Sequence, residues 1–196
     1  MSLHETLGFK KGFFTCMVAG KSASGKTAVL VTLASEYLLL GKKVLFVSDD
    51  TKEAIKMFHH LDGKDYMDAF ENLAFMNIMD YINKQNSANN FDNSGFDYIF
   101  IDNSLAINLV YNQKIPTFTT HPFNRVMGYT KLVCVFDYVI SLVKKPELTF
   151  LEKVKYFFMG GQPNIRLEFL KNREKGELKK IDLKMNLKTL KTKMYE

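Results

Sequence analysis

Short apolar runs alternate with stretches of helical periodicity along the chain. Apolar runs that end at glycine or at acidic residues predict buried strands at 13–19, 44–47 and 98–102, and 115–119 and 138–143 are further strand candidates. Helical spacing over 26–40 and 51–61 predicts two helices, whereas 73–79 fits a strand or a helix equally well. Strands that alternate with helices predict a mainly parallel sheet with helices on both faces.

Polar stretches predict the remaining organisation. Residues 83–95 are rich in Asn, Ser and Asp and lack apolar periodicity, which predicts a surface loop. Segments 165–170 and 178–183 flank the polar residues 172–176 and predict a closing β-hairpin. Because no internal repeat or long linker is present, we expect residues 1–196 to form a single α/β domain with a β-rich end.

Composition is that of an ordinary globular protein, with 46% hydrophobic and 24% charged residues. The longest apolar candidate, 28–40, is interrupted by Thr32, Ser35 and Glu36, so it predicts a buried helix rather than a membrane span. The N-terminus lacks a secretory pattern, and we expect a cytoplasmic protein with no membrane partner. Cys16 and Cys134 lie in apolar surroundings that predict buried, reduced thiols.

Charge is concentrated near the C-terminus. The net charge is +6, and residues 171–196 contain nine Lys or Arg against four Asp or Glu. This bias favours a polyanionic partner such as nucleic acid. A solvated, lysine-rich hairpin explains the charge equally well.

Residues 20–27 match the phosphate-binding pattern Gly-x-x-x-x-Gly-Lys-Ser/Thr. Gly20 and Gly25 allow the backbone to wrap around phosphate oxygens, and the start of the following helix adds its positive dipole end. We expect Lys26 to contact the β- and γ-phosphates and the Thr27 hydroxyl to bind Mg²⁺. A glycine-rich turn without a ligand is the alternative, but the predicted flanking strand and helix are those that the motif requires. The complete set of predicted nucleotide-binding residues is Gly20, Lys21, Ser22, Ala23, Ser24, Gly25, Lys26 and Thr27.

Two acidic positions lie where the chemistry of a nucleotide requires them. Asp102 ends a buried strand, where it can hold Mg²⁺ through water, although strands also end in Asp that caps the next helix. The second strand ends in Ser48-Asp49-Asp50, and we expect Asp50 to orient the water that attacks ATP. The alternative for Asp50 is the N-cap of the helix that begins at Thr51.

These residues resemble a known family. Segments 12–27 and 41–48 resemble the RecA-like ATPase core, and within it the DnaB-type replicative helicases, which are also encoded by phages. Residues 100–106 are similar to the second Walker motif of that core, while 115–125 and 136–140 are similar to its later strands. The resemblance implies a RecA-like P-loop fold that binds ATP and Mg²⁺.

A further match lies near the C-terminus. Residues 169–176 resemble the Lys-x-Arg-x-x-Gly segment of DnaB-type cores. The resemblance implies that Lys171 and Arg173 act in trans in a neighbouring subunit's nucleotide site, where the arginine stabilises charge in the transition state. It also implies a homo-oligomer, in this family a hexameric ring around single-stranded DNA. An exposed basic hairpin turn is the alternative for this segment.

The sequence departs from the family pattern at several points. Asp50 stands where the family has a catalytic Glu, and His121 where a Gln senses the γ-phosphate. An imidazole can donate a hydrogen bond too, but its charge changes near neutral pH. The segment between Asp102 and Asp137 is shorter than in the family, and the primase-facing N-terminal domain is absent. We therefore expect either a reduced, phage-like homologue in the host cytoplasm or an excised helicase core.

Three functions fit these residues. The leading hypothesis is an ATP-driven helicase motor, in which Lys26, Thr27 and Asp102 hold Mg-ATP and Arg173 completes the site of the neighbour. The second is a RecA-type recombinase or loader ATPase, which binds DNA as a filament without unwinding it. The third is a non-hydrolysing, nucleotide-dependent regulatory module, which the departures at Asp50 and His121 favour.

Overall fold

The computed structural model describes residues 2–59, 68–86, 93–102, 110, 114–122, 135–172, 179–186 and 190–195. In chain order, its helices and strands are α1 Leu3–Leu7, β1 Thr15–Gly20, α2 Lys26–Leu39, β2 Val44–Ser48, α3 Thr51–His59, β3 Leu73–Asn77, α4 Ile78–Asn86, β4 Tyr98–Asp102, β5 Thr117–Pro122, β6 Tyr138–Lys144, α5 Phe150–Phe158, β7 Ile165–Asn172, β8 Lys180–Met185 and β9 Thr192–Tyr195. A 3₁₀ turn at Phe70–Asn72 precedes β3.

Nine strands within the described part of the chain form one sheet in the order β3-β2-β4-β5-β1-β6-β7-β8-β9. Neighbouring strands from β3 to β6 are parallel, while β7, β8 and β9 extend the sheet in antiparallel pairings. This arrangement confirms the predicted parallel sheet and terminal hairpin. It also brings the carboxyl ends of β1, β2, β4 and β5 to one edge, where ligands bind in such sheets.

Both faces of the sheet bury an apolar cluster. The larger cluster packs α1, α2 and α3 against side chains such as Val18, Phe100 and Phe118, and the Phe100 and Phe118 rings stack at 4.6 Å. The smaller cluster packs Ile78 and Tyr81 of α4 against the alternate side chains of the same strands. Because the central strands are buried on both faces, they form continuous apolar runs in the sequence.

The helix after the phosphate-binding motif begins and ends near the predicted residues. It runs from Lys26 to Leu39, with Gly25 as N-cap and Leu40 as C-cap. Gly41, with φ +71°, follows the cap in the left-handed conformation that glycine accommodates best. The predicted helix over 51–61 is present as α3 from Thr51 to His59, and residues 60–61 lie outside the described residues.

The predicted surface loop over 83–95 is wrong at its start, because α4 continues to Asn86. Ile78 and Tyr81 are buried and Ile82 packs beside them, so one side of this helix is anchored despite its polar composition. The ambiguous segment 73–79 divides into strand β3 and the first residues of α4. Of the predicted loop, residues 87–92 lie outside the described residues.

Three elements were missed by the sequence reasoning: α1, α5 and β9. Helix α5 has an N-terminal capping box in which Thr149 and Glu152 satisfy each other's backbone N–H groups. The Thr-x-x-Glu spacing was the available signal for the start of this helix.

In the described residues, no helix combines the length and the apolar character needed to cross a membrane. Cys16 is buried, and burial raises the pKa of its thiol, as expected for an unreactive cysteine. Cys134 lies outside the described residues.

Candidate nucleotide-binding site

The loop between β1 and α2 requires glycine at two positions. A Cβ atom at Gly20 would lie 2.7 Å from Ser24 Oγ and 3.0 Å from the Leu142 carbonyl oxygen. Gly25 has φ +100°, a conformation that side chains strain, immediately before the first turn of α2. The backbone therefore curves tightly around the N-terminus of a helix, which is the geometry that binds phosphate.

Lys26 extends across this loop. Its Nζ donates to the carbonyl oxygens of Gly20 at 3.1 Å and Lys21 at 2.8 Å. Burial lowers the pKa of the Lys26 amine, while the nearby Asp102 carboxylate opposes that shift. A cation held inside the curve of the loop can transfer its hydrogen bonds to phosphate oxygens that lie there.

Asp102 lies at the end of β4, facing the start of α2. Its Oδ2 accepts a hydrogen bond from Thr27 Oγ1 at 2.6 Å, and its Oδ1 accepts one from Thr120 Oγ1 at 2.9 Å. Burial raises the pKa of this carboxyl, and the two threonine hydroxyls act in the opposite direction. The predicted pair Thr27 and Asp102 is thus in direct contact, and Thr120 is a third member that the sequence reasoning did not identify.

The end of β2 supplies the acidic side of the site. Asp50 Oδ1 accepts a hydrogen bond from the Glu53 N–H at 2.9 Å, so Asp50 caps α3. This is the alternative role considered for Asp50, and it occupies one of the two carboxylate oxygens. Glu53, one turn into α3, faces the same cavity and was not predicted. The cavity has a volume of about 310 Å³ and is lined by Ser22, Ala23, Lys26, Thr27, Ser48, Asp49, Asp50, Glu53, Asp102, Thr120 and Pro122.

The residues present fit a magnesium-bound nucleoside triphosphate. Gly20 leaves space at the floor of the loop, Lys26 supplies a cation, and the Thr27–Asp102 pair supplies oxygen ligands. No cluster of three or more His, Cys, Asp or Glu suited to a metal occurs among the described residues. That agrees with Mg²⁺, which proteins bind through one or two side chains together with substrate phosphates and water.

His121 lies at the carboxyl end of β5, opposite Ala19 of β1 in the register of the sheet. Alternation along the strand directs His121 away from the face that Thr120 shares with Asp102. Burial and the charge of Lys26 lower the pKa of His121. Its Nδ1 is buried without a hydrogen-bond partner among the described residues. The role predicted for His121 as a γ-phosphate sensor stays a prediction.

Lys171 lies far from the phosphate-binding loop of its own chain. It pairs with Val139 of β6, which pairs in turn with Met17 of β1, three residues before Gly20. The usual strand spacing and rise place the Lys171 backbone about 14 Å from Gly20, toward the amino ends of the parallel strands. Arg173, the predicted arginine finger, lies outside the described residues.

Lys144 is a further residue at the site that the sequence reasoning did not identify. It ends β6, and its Nζ donates to the Ala23 carbonyl oxygen at 3.2 Å. Ala23 itself has φ +55°, so the lysine contacts the most strained non-glycine residue of the loop. A lysine at the end of a predicted strand was the available signal.

Comparison with solved structures identifies proteins of the same fold. A KaiC-like protein from Pyrococcus horikoshii is 14% identical with a TM-score of 0.65, and the alignment covers 99% of this chain and 95% of that one. The flagellar accessory protein FlaH from Methanocaldococcus jannaschii is 17% identical with a TM-score of 0.66, at the same coverage. The ATPase domain of a gene 40 product is 14% identical with a TM-score of 0.65, covering 97% of this chain and 87% of that domain. No protein-family model and no curated protein matches the sequence.

These similarities confirm the RecA-like P-loop fold that the motifs predicted. They extend over nearly the whole chain, so the phosphate-binding loop, the sheet and the antiparallel end belong to one architecture. At 14–17% identity they establish the fold, and the chemistry has to be argued from the site itself.

Proposed function

We propose that this chain is the ATP-binding and ATP-hydrolysing motor core of a DnaB-like replicative helicase that acts on single-stranded DNA. The observation that carries the proposal is the convergence of Lys26, Thr27 and Asp102 at the carboxyl ends of β1 and β4. The fold shared with the ATPase domain of the gene 40 product supports it. The basic C-terminal segment supports a polyanionic partner.

Each residue of the site has a defined task in this proposal. Lys26 exchanges its carbonyl acceptors at Gly20 and Lys21 for the β- and γ-phosphate oxygens. Thr27 and Asp102 hold Mg²⁺, and Thr120 orients the Asp102 carboxylate. Bound Mg-ATP supplies the electrophilic γ-phosphoryl group on which water acts.

Two carboxylates are placed to orient the attacking water. The cap on α3 uses Asp50 Oδ1, which leaves the second oxygen of that carboxylate as an acceptor for a water proton. Glu53 lines the same cavity and is one methylene longer, as in the family pattern from which Asp50 departs. We assign the base to Asp50, with Glu53 as the test case that distinguishes position from side-chain length.

Assembly completes the site. A lysine about 14 Å from Gly20 in its own chain can act at a phosphate site only by reaching into a neighbour. In this proposal, Lys171 and Arg173 do so within a hexameric ring of identical subunits, which makes turnover depend on assembly.

The experiment is a measurement of ATP turnover with and without single-stranded DNA. The wild-type chain should hydrolyse ATP, faster with DNA, and Lys26→Ala should abolish turnover in both conditions. Lys56→Ala, a substitution of an exposed lysine on α3, serves as the matched control and should leave turnover unchanged. ATP turnover that survives in Lys26→Ala would contradict the proposal.

A second candidate is a nucleotide-dependent switch that does not hydrolyse ATP. The capping bond from the Glu53 N–H to Asp50 favours it, because it commits the proposed base to a structural role. A switch would bind Mg-ATP yet show no turnover with or without DNA, in an otherwise assembled protein. The same assay therefore separates the two candidates.

A further inference from the structure

Helix α5 has its apolar side turned outward. At 100° per residue, Phe150, Leu151, Val154, Phe157 and Phe158 share one arc of about 120°. Of these, Phe150, Leu151 and Phe157 are each 78% exposed, Phe158 is 82% exposed and Val154 is 39% exposed. We call these five side chains the apolar face of α5.

Polar contacts fix this orientation from the other side of the helix. Glu152 accepts from Arg166 Nη2 at 2.8 Å, and the Tyr156 hydroxyl donates to Asp182. Arg166 Nε in turn donates to Asp182 Oδ1 at 2.6 Å, and both of these residues are buried. The apolar face cannot turn toward the sheet without disrupting the contacts to this buried ion pair, which is costly.

The apolar face is as large as one side of a protein interface. At roughly 200 Å² per aromatic side chain, its exposed residues present on the order of 600 Å² of apolar surface. Monomeric proteins rarely expose a larger patch, and a stable interface buries about 800 Å² on each partner. Exposed Lys153 and Lys155 border the face on its two sides, as on the rim of an interface.

A complementary surface lies at the opposite end of the sheet. A groove between α3 and the edge strand β3 is lined by Ile55, Phe58, His59, Phe70, Leu73 and Phe75. Its volume is about 160 Å³, similar to an engineered cavity of about 150 Å³ that binds benzene. The α3–β3 groove can therefore accept a phenyl ring, and Glu71 beside it is exposed and opposite in charge to the lysines of α5.

We propose that the apolar face of α5 packs into the α3–β3 groove of a second copy of this chain. The two surfaces lie at opposite ends of the sheet, so the contact is head-to-tail and repeats from subunit to subunit. Such a contact forms a ring if the rotation closes and a filament if it does not. The inference rests on the assembly in the proposed function, and it requires neither hydrolysis nor DNA.

Two variants and their mixture test the contact by sedimentation velocity. Phe157→Asp combined with Phe158→Asp removes the apolar face, and Ile55→Glu blocks the groove. Each variant should be monomeric when measured separately, and a mixture should form a heterodimer, because each partner retains one intact surface. Leu40→Gln, at an apolar residue that is 56% exposed elsewhere, is the matched control and should assemble like wild type.

Several results would overturn the contact. A wild-type chain that stays monomeric at all concentrations would do so, as would assembly that the groove variant leaves intact. Flotation of wild type, and not of the α5 variant, with phosphatidylserine-containing vesicles in the absence of self-assembly would assign the face to a membrane instead. If Ile55→Glu fails to fold, the exposed His59→Glu blocks the same groove with little effect on the core.

Mg-ATP binding is measured on every variant and separates this inference from the proposed function. Retained binding with failed assembly of wild type would overturn the contact and leave the nucleotide site intact. Assembly without any binding of Mg-ATP by wild type would contradict the proposed function and support the contact.

Discussion

Asp102 is a residue whose charge serves binding at the expense of stability. Burial raises its pKa, so the charged form costs folding free energy at neutral pH. We expect Asp102→Asn to raise the melting temperature of the chain measured without nucleotide, since the amide retains the shape without the charge. The same variant should lose the magnesium dependence of ATP binding. Thermal denaturation with and without Mg-ATP measures both effects.

Asp80→Asn is the control for this prediction, since Asp80 is exposed and lies outside the nucleotide site. It should change neither the melting temperature nor the magnesium dependence. A less stable Asp102→Asn chain that still needs Mg²⁺ to bind ATP would contradict the role assigned to the carboxylate.

Asp50 has a structural and a proposed chemical role that substitutions can separate. Asn caps helices about as well as Asp, so Asp50→Asn should preserve stability. If Asp50 orients water, the same change should lower ATP turnover by about 100-fold or more. Asp50→Ala should lower turnover too and also destabilise the chain by about 1 kcal/mol, through loss of the cap.

Steady-state turnover and chemical denaturation of the two Asp50 variants and of Glu53→Gln measure these roles. Normal turnover in Asp50→Asn together with loss of turnover in Glu53→Gln would transfer the base to Glu53. Normal turnover in both variants would show that neither carboxylate is the base.

At the scale of elements, α5 is held by a capping box that responds to acid. Hydrogen bonds from Thr149, followed by Arg166, lower the pKa of Glu152 from 4.5 to about 2. Because the folded pKa is depressed, the stabilisation is complete above pH 4.5 and is lost as the pH falls toward 2. Glu152→Gln keeps a capping-box residue without a titrating group and should flatten this part of the pH profile.

Urea denaturation between pH 2 and 6 measures this effect in wild type and Glu152→Gln. The two curves should converge at the acid end of the range. Parallel curves across the whole range would show that Glu152 does not contribute to the pH dependence of stability.

The elements that surround the site could be predicted from the sequence because their patterns are local. Gly20, Gly25 and the apolar run of β1 define a strand, a turn and a helix within a few residues. Helix α5 could not be predicted in this way, because its buried side is polar and depends on Arg166 and Asp182, far along the chain. Thr120 was missed for the same reason, since its contact with Asp102 depends on the pairing order of the strands.

At the scale of the whole molecule, the position of Lys171 argues that one chain holds only part of an active site. Lys26→Ala subunits should lack nucleotide binding but retain Arg173, whereas Arg173→Ala subunits should have the reverse defect. A mixture of the two should recover part of the wild-type ATP turnover, because some interfaces combine an intact loop with an intact arginine. Turnover measured across mixing ratios tests this expectation, and no recovery at any ratio would count against action in trans.

The central claim is that residues 20–27 and Asp102 bind a magnesium-bound nucleoside triphosphate. Calorimetric titration of wild type and Lys26→Ala with Mg-ATP tests it most directly. We expect binding by wild type, and about 10- to 100-fold weaker binding by Lys26→Ala, since a charged hydrogen bond contributes about 1.5–3 kcal/mol. Equal affinity in the two proteins, or no binding by a folded wild-type chain, would contradict the account.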